Sequence, residues 1–269
     1  MHTEKSICAV VVTFNRKALL LNCLNALKAQ THSLSHIVVI DNASTDGTAD
    51  FLGEHGWTNN DTFTLITLPE NMGGAGGFHE GIKYAFEQGF DYIWLMDDDG
   101  VPAVDCLDKL LPFVTENNYL GPLVLDIKQP NKFCFPMRLP STLKRLDTLA
   151  DLNTLEIKEK IDGIVIPFNG ILLSSKVVEK VGFPLKEYFI WGDDMEYTAR
   201  MKKYGVDIAS IVDAYFYHPK DESLGMPMFF NKLHFNDTPS KLKLYCMCRN
   251  AVSNHKKYSS YLHVSAFIL

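Results

Sequence analysis

The chain has 269 residues, 46% of them hydrophobic and 22% charged, which supplies a sizeable buried core and excludes general disorder. Its net charge of -6, from 26 basic and 32 acidic side chains, argues against a general nucleic-acid binder, whose footprint would be basic. No run of about 18 or more apolar residues occurs, so no membrane-spanning helix is expected, and the start MHTEKSICAVVVTFNR lacks the pattern of a secretory signal.

The first half alternates strand and helix patterns. Ile7 to Thr13 (ICAVVVT) is a β-branched apolar run of the kind found in buried parallel strands. Leu20, Leu24 and Leu27 follow at helical spacing. His36 to Asp41 (HIVVID) is a second strand, Asp46-Gly47-Thr48 opens a short helix, and Thr62 to Leu68 is a third strand. Phe78, Ile82, Ala85 and Phe86 mark one face of a helix that ends at Gly89. Asp91 to Met96 is a fourth strand running into Asp97-Asp98-Asp99, and a helix after Pro102 carries Val104, Leu107, Leu111 and Val114 on one face. This rhythm predicts an α/β fold with a doubly wound, mostly parallel central sheet. Ligands of such sheets bind beyond the carboxyl ends of the strands. The polar clusters fall at those ends: Thr13 to Arg16, Asp41-Asn42, Asn71 to Gly77 and Asp97 to Asp99.

The second half is less regular. Leu120 to Asp126 reads as a strand, and residues 128–160 as loops and short strands. Ile161 to Leu173 has strand character broken by Pro167 and Gly170. Phe189 to Gly192 leads into Asp193-Asp194 and a helix closed by Gly205, followed by a strand from Val206 to Val212. A basic helix runs from about Ser240 to Tyr258. The last residues, Tyr261 to Leu269, are apolar and stop abruptly, as either a natural end or a cut inside a longer protein would. The six cysteines are irregularly spaced, and Cys246-x-Cys248 lacks the second pair of a zinc site, so reduced thiols are expected.

Asp97-Asp98-Asp99 is the strongest local signal. Three adjacent carboxylates repel one another and call for a counter-charge. Their hard oxygens suit Mg²⁺ or Mn²⁺, especially with a ligand phosphate in the shell. Residues 97 and 99 share a side if the strand continues; the alternative is a solvated acidic turn closed by Gly100. The glycines of Asn71 to Gly77 either let a phosphate approach the backbone and the helix start, or make a tight connection. Asp193 with Glu196 fits a capping box, while one aspartate of the Asp193-Asp194 pair could serve as a general base. Trp191 reads as a sugar-stacking ring or as core. His218 follows an aromatic strand, where a structural role is the commoner one. Arg249-Asn250 reads as part of a solvated helix face or as a contact to phosphate or an anionic membrane.

Together these pieces resemble the family 2 glycosyltransferases of the GT-A fold. The matching stretches, in the family's order from residue 10 to residue 218, are VVVTFNR, VVIDNASTDGT, NMGGAGGF, WLMDDDG, FIWGDDMEYTARMKKYG and the YFYH histidine. The glycine run and the aspartate triplet are similar to those of bacterial galactofuranosyltransferases, and YCMCRN to a segment of that group and of rhamnosyltransferases. The resemblance implies a GT-A domain over residues 1–238, with a nucleotide-sugar half at about 1–126, an acceptor half at about 127–238, and a C-terminal basic helix and apolar end at 239–269. It implies inverting, metal-dependent transfer from a nucleotide-diphosphate donor. UDP-galactofuranose is the first choice of donor and dTDP-rhamnose the second. Thr13, Asn15, Arg16, Asp41, Asn71, Gly74, Asp97 and Asp98 would hold the nucleotide-sugar. Asp97, Asp99 and His218 would hold Mn²⁺ or Mg²⁺, Asp194 or Asp193 would be the base, and Trp191 would meet the acceptor. One departure stands out: a glycine separates Trp191 from the aspartate pair. The implied acceptor is a lipid-linked cell-surface glycan, met at the inner face of the cytoplasmic membrane by a cytoplasmic, peripherally docked protein. Two competing readings are a sugar-phosphate nucleotidyltransferase, whose glycine-rich loop TFNRKALLL does not match, and a non-catalytic sugar-binding domain on the same scaffold.

Overall fold

The run ICAVVVT is apolar throughout because it lies mid-sheet with helices on both faces: in the computed structural model, strand β1 (Ile7–Thr13) is buried at every position. The structure describes residues 5–140, 142, 144–220, 226–228, 233–235, 238 and 240–258. After β1 come α1 (Lys17–Lys28), β2 (His36–Asp41), α2 (Thr48–Glu54), β3 (Phe63–Thr67), α3 (Gly73–Glu87) and β4 (Tyr92–Asp97). The four strands pair in parallel in the order β3-β2-β1-β4. Helix α1 buries Leu20, Cys23, Leu24 and Leu27, a single face at helical spacing.

The chain continues through β5 (Val101–Pro102), α4 (Cys106–Leu110), β6 (Asn118–Asp126), β7 (Gln129–Arg138), β8 (Arg145–Thr148), α5 (Leu149–Thr154), β9 (Lys160–Asp162), β10 (Asn169–Ser174), α6 (Ser175–Val181), α7 (Asp193–Lys203), β11 (Asp207–His218), β12 (Met226–Met228), β13 (Leu233–Phe235) and α8 (Lys241–Tyr258). The sheet extends from β4 through β10, β6 and β11 to β5. Strand β10 is antiparallel to both β4 and β6, and β11 is parallel to β6. The two reversals cancel, so the carboxyl end of β11 emerges on the same edge as those of β1, β2 and β4. Register aligns that edge: Thr13 lies level with Asp41, and Val12 with Asp97.

The core has a layer on each side of the sheet. Val11, Trp94, Leu24 and Leu107 pack on the α1–α4 side, and Val10, Leu95, Phe78 and Ile82 on the α3 side. A smaller cluster of Phe133, Met137, Leu146 and Leu152 seals β7, β8 and α5 onto β6. The expected helix after Pro102 is shorter than its periodicity suggests. Val101 and Pro102 are drawn into β5 against Tyr217 and Phe216, and Val104 is left 55% exposed. All six cysteines are free. No helix among the described residues is long and apolar enough to cross a membrane. The apolar end at 261–269 lies outside the described residues.

Candidate active site

The acidic triplet does not continue the strand. β4 ends at Asp97, and Asp98 and Asp99 form a turn in which the Gly100 N–H donates to the Asp97 carbonyl. Buried Asp98 accepts a 2.6 Å hydrogen bond from the Thr13 hydroxyl. The half-exposed guanidinium of Arg16 reaches both Asp98, at 3.2 Å, and Asp99, at 2.7 Å. The loop after β1 thus supplies the counter-charge that the triplet demands. Asn15, at φ 55°, shapes that loop: its side-chain carbonyl accepts from Thr45 N and its own N–H donates to Ser44 Oγ. Asp41 accepts from Ser44 N at 2.9 Å.

From the far side of the sheet, His218 at the end of β11 brings Nε2 to 3.1 Å from Asp99 Oδ1. His218 Nδ1 donates to the Pro219 carbonyl at 2.8 Å, so Nε2 carries the second proton while the ring is charged and a lone pair once it is neutral. Burial would lower His218, but its close contact with Asp99 outweighs it and, with help from Cys134, pushes it up to about 10. Asp99 is lowered despite its burial, because His218 and Arg16 face it. Burial and its two neighbours push Asp97 well above the usual carboxylate range. Burial also raises Asp98 to about 6, against the Thr13 hydrogen bond and the Arg16 charge.

Would this set hold a divalent cation? Asp99 Oδ1 is buried without an aligned hydrogen bond. Its 3.1 Å spacing from His218 Nε2 is that of two adjacent ligands on an octahedral ion at about 2.1 Å. Carboxylate plus imidazole is a donor set for Mn²⁺ or Mg²⁺, and the raised Asp97 carboxyl calls for more positive charge than Arg16 brings. These residues fit a cation. Among the described residues, however, no three His, Cys, Asp or Glu side chains already converge as a metal cage. Asp99 and His218 are brought together; Asp97 lies two residues before Asp99, at the end of β4.

The glycine run departs from its sequence reading. Helix α3 begins at Gly73, so the glycines lie inside it rather than before it. A Cβ on Gly77 would come within 2.4 Å of Val12 Cγ1, and one on Gly81 within 2.3 Å of Val10 Cγ1. The glycines therefore let the helix lie close on β1. Two amides at the helix start are already engaged: Gly73 N donates to the Asn71 side chain and Ala75 N to the Phe189 carbonyl. Gly74 is the position with nothing within 4 Å of an added Cβ, so its backbone faces open space.

The segment before α7 is strained. Phe189 and Trp191 adopt φ of 64° and 59°, each costing about 1–3 kcal/mol for a residue with a side chain, and Gly192 adopts 89°. The expected capping box is absent: Gly192 is the N-cap of α7, and Glu196 instead pairs with Arg200 and accepts from the Tyr258 hydroxyl at 2.6 Å. Both aspartates occupy the first turn of α7. Burial and the charge of Asp194 push Asp193 up to about 7, and burial raises Asp194. Trp191 is half-buried with the Lys243 ammonium over its ring, so it is not core. Among the described residues no hydrogen bond or ion pair joins this pair to the Asp97–Asp99 turn.

Sequence reasoning placed Asn42 in a polar cluster without giving it a role, and missed the contact of Cys134 and the role of Arg249-Asn250. Buried Asn42 donates to the Gly73 carbonyl and keeps its Oδ1 unpartnered. Cys134 Sγ lies 3.6 Å from His218 Nδ1, a contact between β7 and β11 that sequence spacing does not encode. Asn250 is not on a solvated face: it is 1% exposed and bonded to the 188–191 backbone.

The doubly wound sheet, with the acidic turn, His218 and the start of α7 gathered near one edge, agrees with the GT-A fold that the sequence motifs resemble. Among solved structures, the chain is similar to GalNAc-T7 with UDP, GalNAc and Mn²⁺ (TM-score 0.64, 14% identity, 81% of this chain and 44% of that one). It is also similar to Staphylococcus aureus TarS 1-349 in complex with UDP (TM-score 0.58, 16% identity, 98% and 70%). The glycosyl transferase family 2 model matches residues 8–171, and the chain belongs to that family. It is 30% identical over 253 residues to galactofuranosyltransferase GlfT1 of Mycolicibacterium smegmatis, covering 93% of this chain and 82% of the relative. It is 27% identical over 218 residues to the dTDP-rhamnosyl transferase RfbF of Shigella flexneri, covering 80% and 69%.

Proposed function

We propose that the protein transfers galactofuranose, with inversion, from UDP-galactofuranose to a hydroxyl of a lipid-linked cell-surface glycan. The observation that carries the reading is the Asp99–His218 contact at 3.1 Å, which joins the ends of β4 and β11 over the edge where Thr13, Arg16 and Asp41 gather. The likeness to GlfT1 supports the donor sugar. The likeness to RfbF supports a second reading, dTDP-rhamnose as donor with the same chemistry.

In this reading Asp41, the loop Thr13–Arg16 and Gly74 border the nucleotide diphosphate. Asp99 and His218, with Asp97 nearby, would hold Mn²⁺ or Mg²⁺, which would stabilise the charge of the departing diphosphate. Asp194, with Asp193 as the alternative, accepts the proton of the acceptor hydroxyl. The acceptor oxygen bonds to the anomeric carbon as the bond to the diphosphate breaks, from the opposite face, which inverts the centre. Trp191 offers a ring to the acceptor. Residues 1–126 supply the donor side and residues 127–238 the acceptor side. Helix α8 carries exposed Leu242 and Tyr245 beside Lys241 and Lys243, a surface suited to an anionic bilayer.

Calorimetric titration of UDP and dTDP, each with and without Mn²⁺, tests this directly. Tight, Mn²⁺-dependent UDP binding is expected. A preference for dTDP moves the donor to rhamnose, and binding of neither overturns the reading. Replacing Asp194 by Asn should leave UDP affinity intact and abolish transfer; near-normal turnover would remove its role as base.

A further inference from the structure

We infer that Asn250 is a positioning residue for transfer: fixed by Arg249, it clamps the strained 188–192 backbone that sets the Asp193–Asp194 pair at the start of α7. The inference rests on the reading of that pair as the base. It starts from a donor count. The Asn250 amide donates to the carbonyls of Tyr188 at 2.9 Å, Ile190 at 3.1 Å and Trp191 at 2.6 Å. Two N–H groups thus serve three acceptors, so one is shared. The orientation of the amide is set by its neighbour, since Arg249 Nε donates to Asn250 Oδ1 at 2.9 Å. The same guanidinium donates through Nη2 to the carbonyls of Glu187 and Tyr188, each at 2.8 Å.

One turn along α8, Asn254 Nδ2 donates to the Gly192 carbonyl at 2.8 Å, and the Tyr188 hydroxyl bonds Ser253 and Asn254. Every carbonyl from Glu187 to Gly192 except that of Phe189 is therefore held by α8. The Phe189 carbonyl turns the other way and caps Ala75 N at the start of α3. The glycine that separates Trp191 from the aspartates has its cause here. A Cβ at Gly192 would lie 3.1 Å from Asn250 Cβ, at a φ that favours glycine. Backbone held in sparsely populated φ/ψ persists only where its surroundings over-determine it, and α8 provides that determination from a segment far away in sequence. Asn250 touches neither candidate ligand nor either aspartate, so its effect on chemistry passes through the loop.

The test compares the full-length protein with Asn250→Ala, Asn250→Asp, which keeps the size and loses the donors, and Asn254→Ala, which removes only the contact to Gly192. UDP affinity is measured by titration. Turnover is measured as nucleotide release from whichever of UDP-galactofuranose or dTDP-rhamnose the titration selects, with an octyl glycoside as acceptor. Amide exchange is followed over 187–194. The expected result is UDP affinity and donor KM within about twofold, kcat lower by about 10- to 100-fold in both Asn250 variants, and faster exchange confined to 187–194. A merely structural role would instead lower the active fraction and loosen β1 and β4 as well. Unchanged loop exchange, or loosened exchange with kcat within twofold, overturns the inference. If the Asn250 variants do not fold, Asn254→Ala is judged by the same criteria. Asp194→Asn separates the two readings: if that variant still turns over, the assignment of the base fails, and loop exchange alone decides the clamp.

Discussion

Asp99 carries two kinds of partner, a guanidinium on one oxygen and an imidazole near the other. Replacing it by Ala removes the buried oxygen that has no aligned hydrogen bond, so the expected outcome is loss of the Mn²⁺-dependent part of UDP affinity, by about tenfold or more. Titration with and without the ion reads this, and an unchanged Mn²⁺ dependence counts against the site. Asp193 gives a pH prediction. Its folded value is pushed up to about 7 by burial and by Asp194, whereas an unfolded aspartate titrates near about 3.9. Between those values the folded protein keeps a proton that the unfolded chain has released. This group's contribution to stability is therefore full below about pH 4 and is lost as pH rises through about 7. If Asp193, the alternative base, takes the acceptor proton, activity runs the opposite way, because a base must be unprotonated: transfer then declines as pH falls through about 7. Rates and thermal midpoints measured on the same samples from about pH 5 to 9 check both signs, and a rate that stays flat down to pH 5 would take Asp193 out of proton transfer.

Among the elements, α3 separates packing from function within one glycine run. Gly81→Ala forces a Cβ against Val10 and Ile40, a cost of about 1–3 kcal/mol that outweighs the roughly 1 kcal/mol of helix propensity gained. Gly74→Ala meets nothing, so it should hold or raise the thermal midpoint while weakening UDP binding. Denaturant melts alongside nucleotide titration distinguish them; equal destabilisation by both would mean that Gly74 is a packing glycine too. The element order and the polar strand ends were legible in the sequence because hydrophobic periodicity is local: β1, β2, β4 and the buried face of α1 lie where their patterns put them. The start of α3 was not legible. A run of glycines reads as a loop by propensity, and only close approach to Val10 and Val12, which is a tertiary fact, makes helix the better state. Arg249-Asn250 reads from the sequence as a solvated face or an anion contact for the same reason, since its partners lie about 60 residues upstream.

At the scale of the whole molecule, the site is assembled across a reversal in the sheet. β3-β2-β1-β4 forms one parallel block and β6-β11 another, with β10 antiparallel between them. The acidic turn belongs to the first block and His218 to the second, which is why residue spacing nominates both separately and only the family resemblance groups them. The lone helix α8 then reaches back over the loop before α7. It also carries Cys248, the one exposed thiol; Cys8, Cys23, Cys106, Cys134 and Cys246 are all buried. Burial holds the Cys8, Cys23 and Cys106 thiols well above their ordinary range, so they resist forming thiolate. A colourimetric thiol reagent should therefore titrate one group quickly in the native protein and all six in denaturant; more than one fast group would mean that the core opens readily. The protein thus comes with its own single attachment point for a fluorophore, next to Arg249, from which the seating of α8 on the 187–192 loop can be watched without engineering a cysteine.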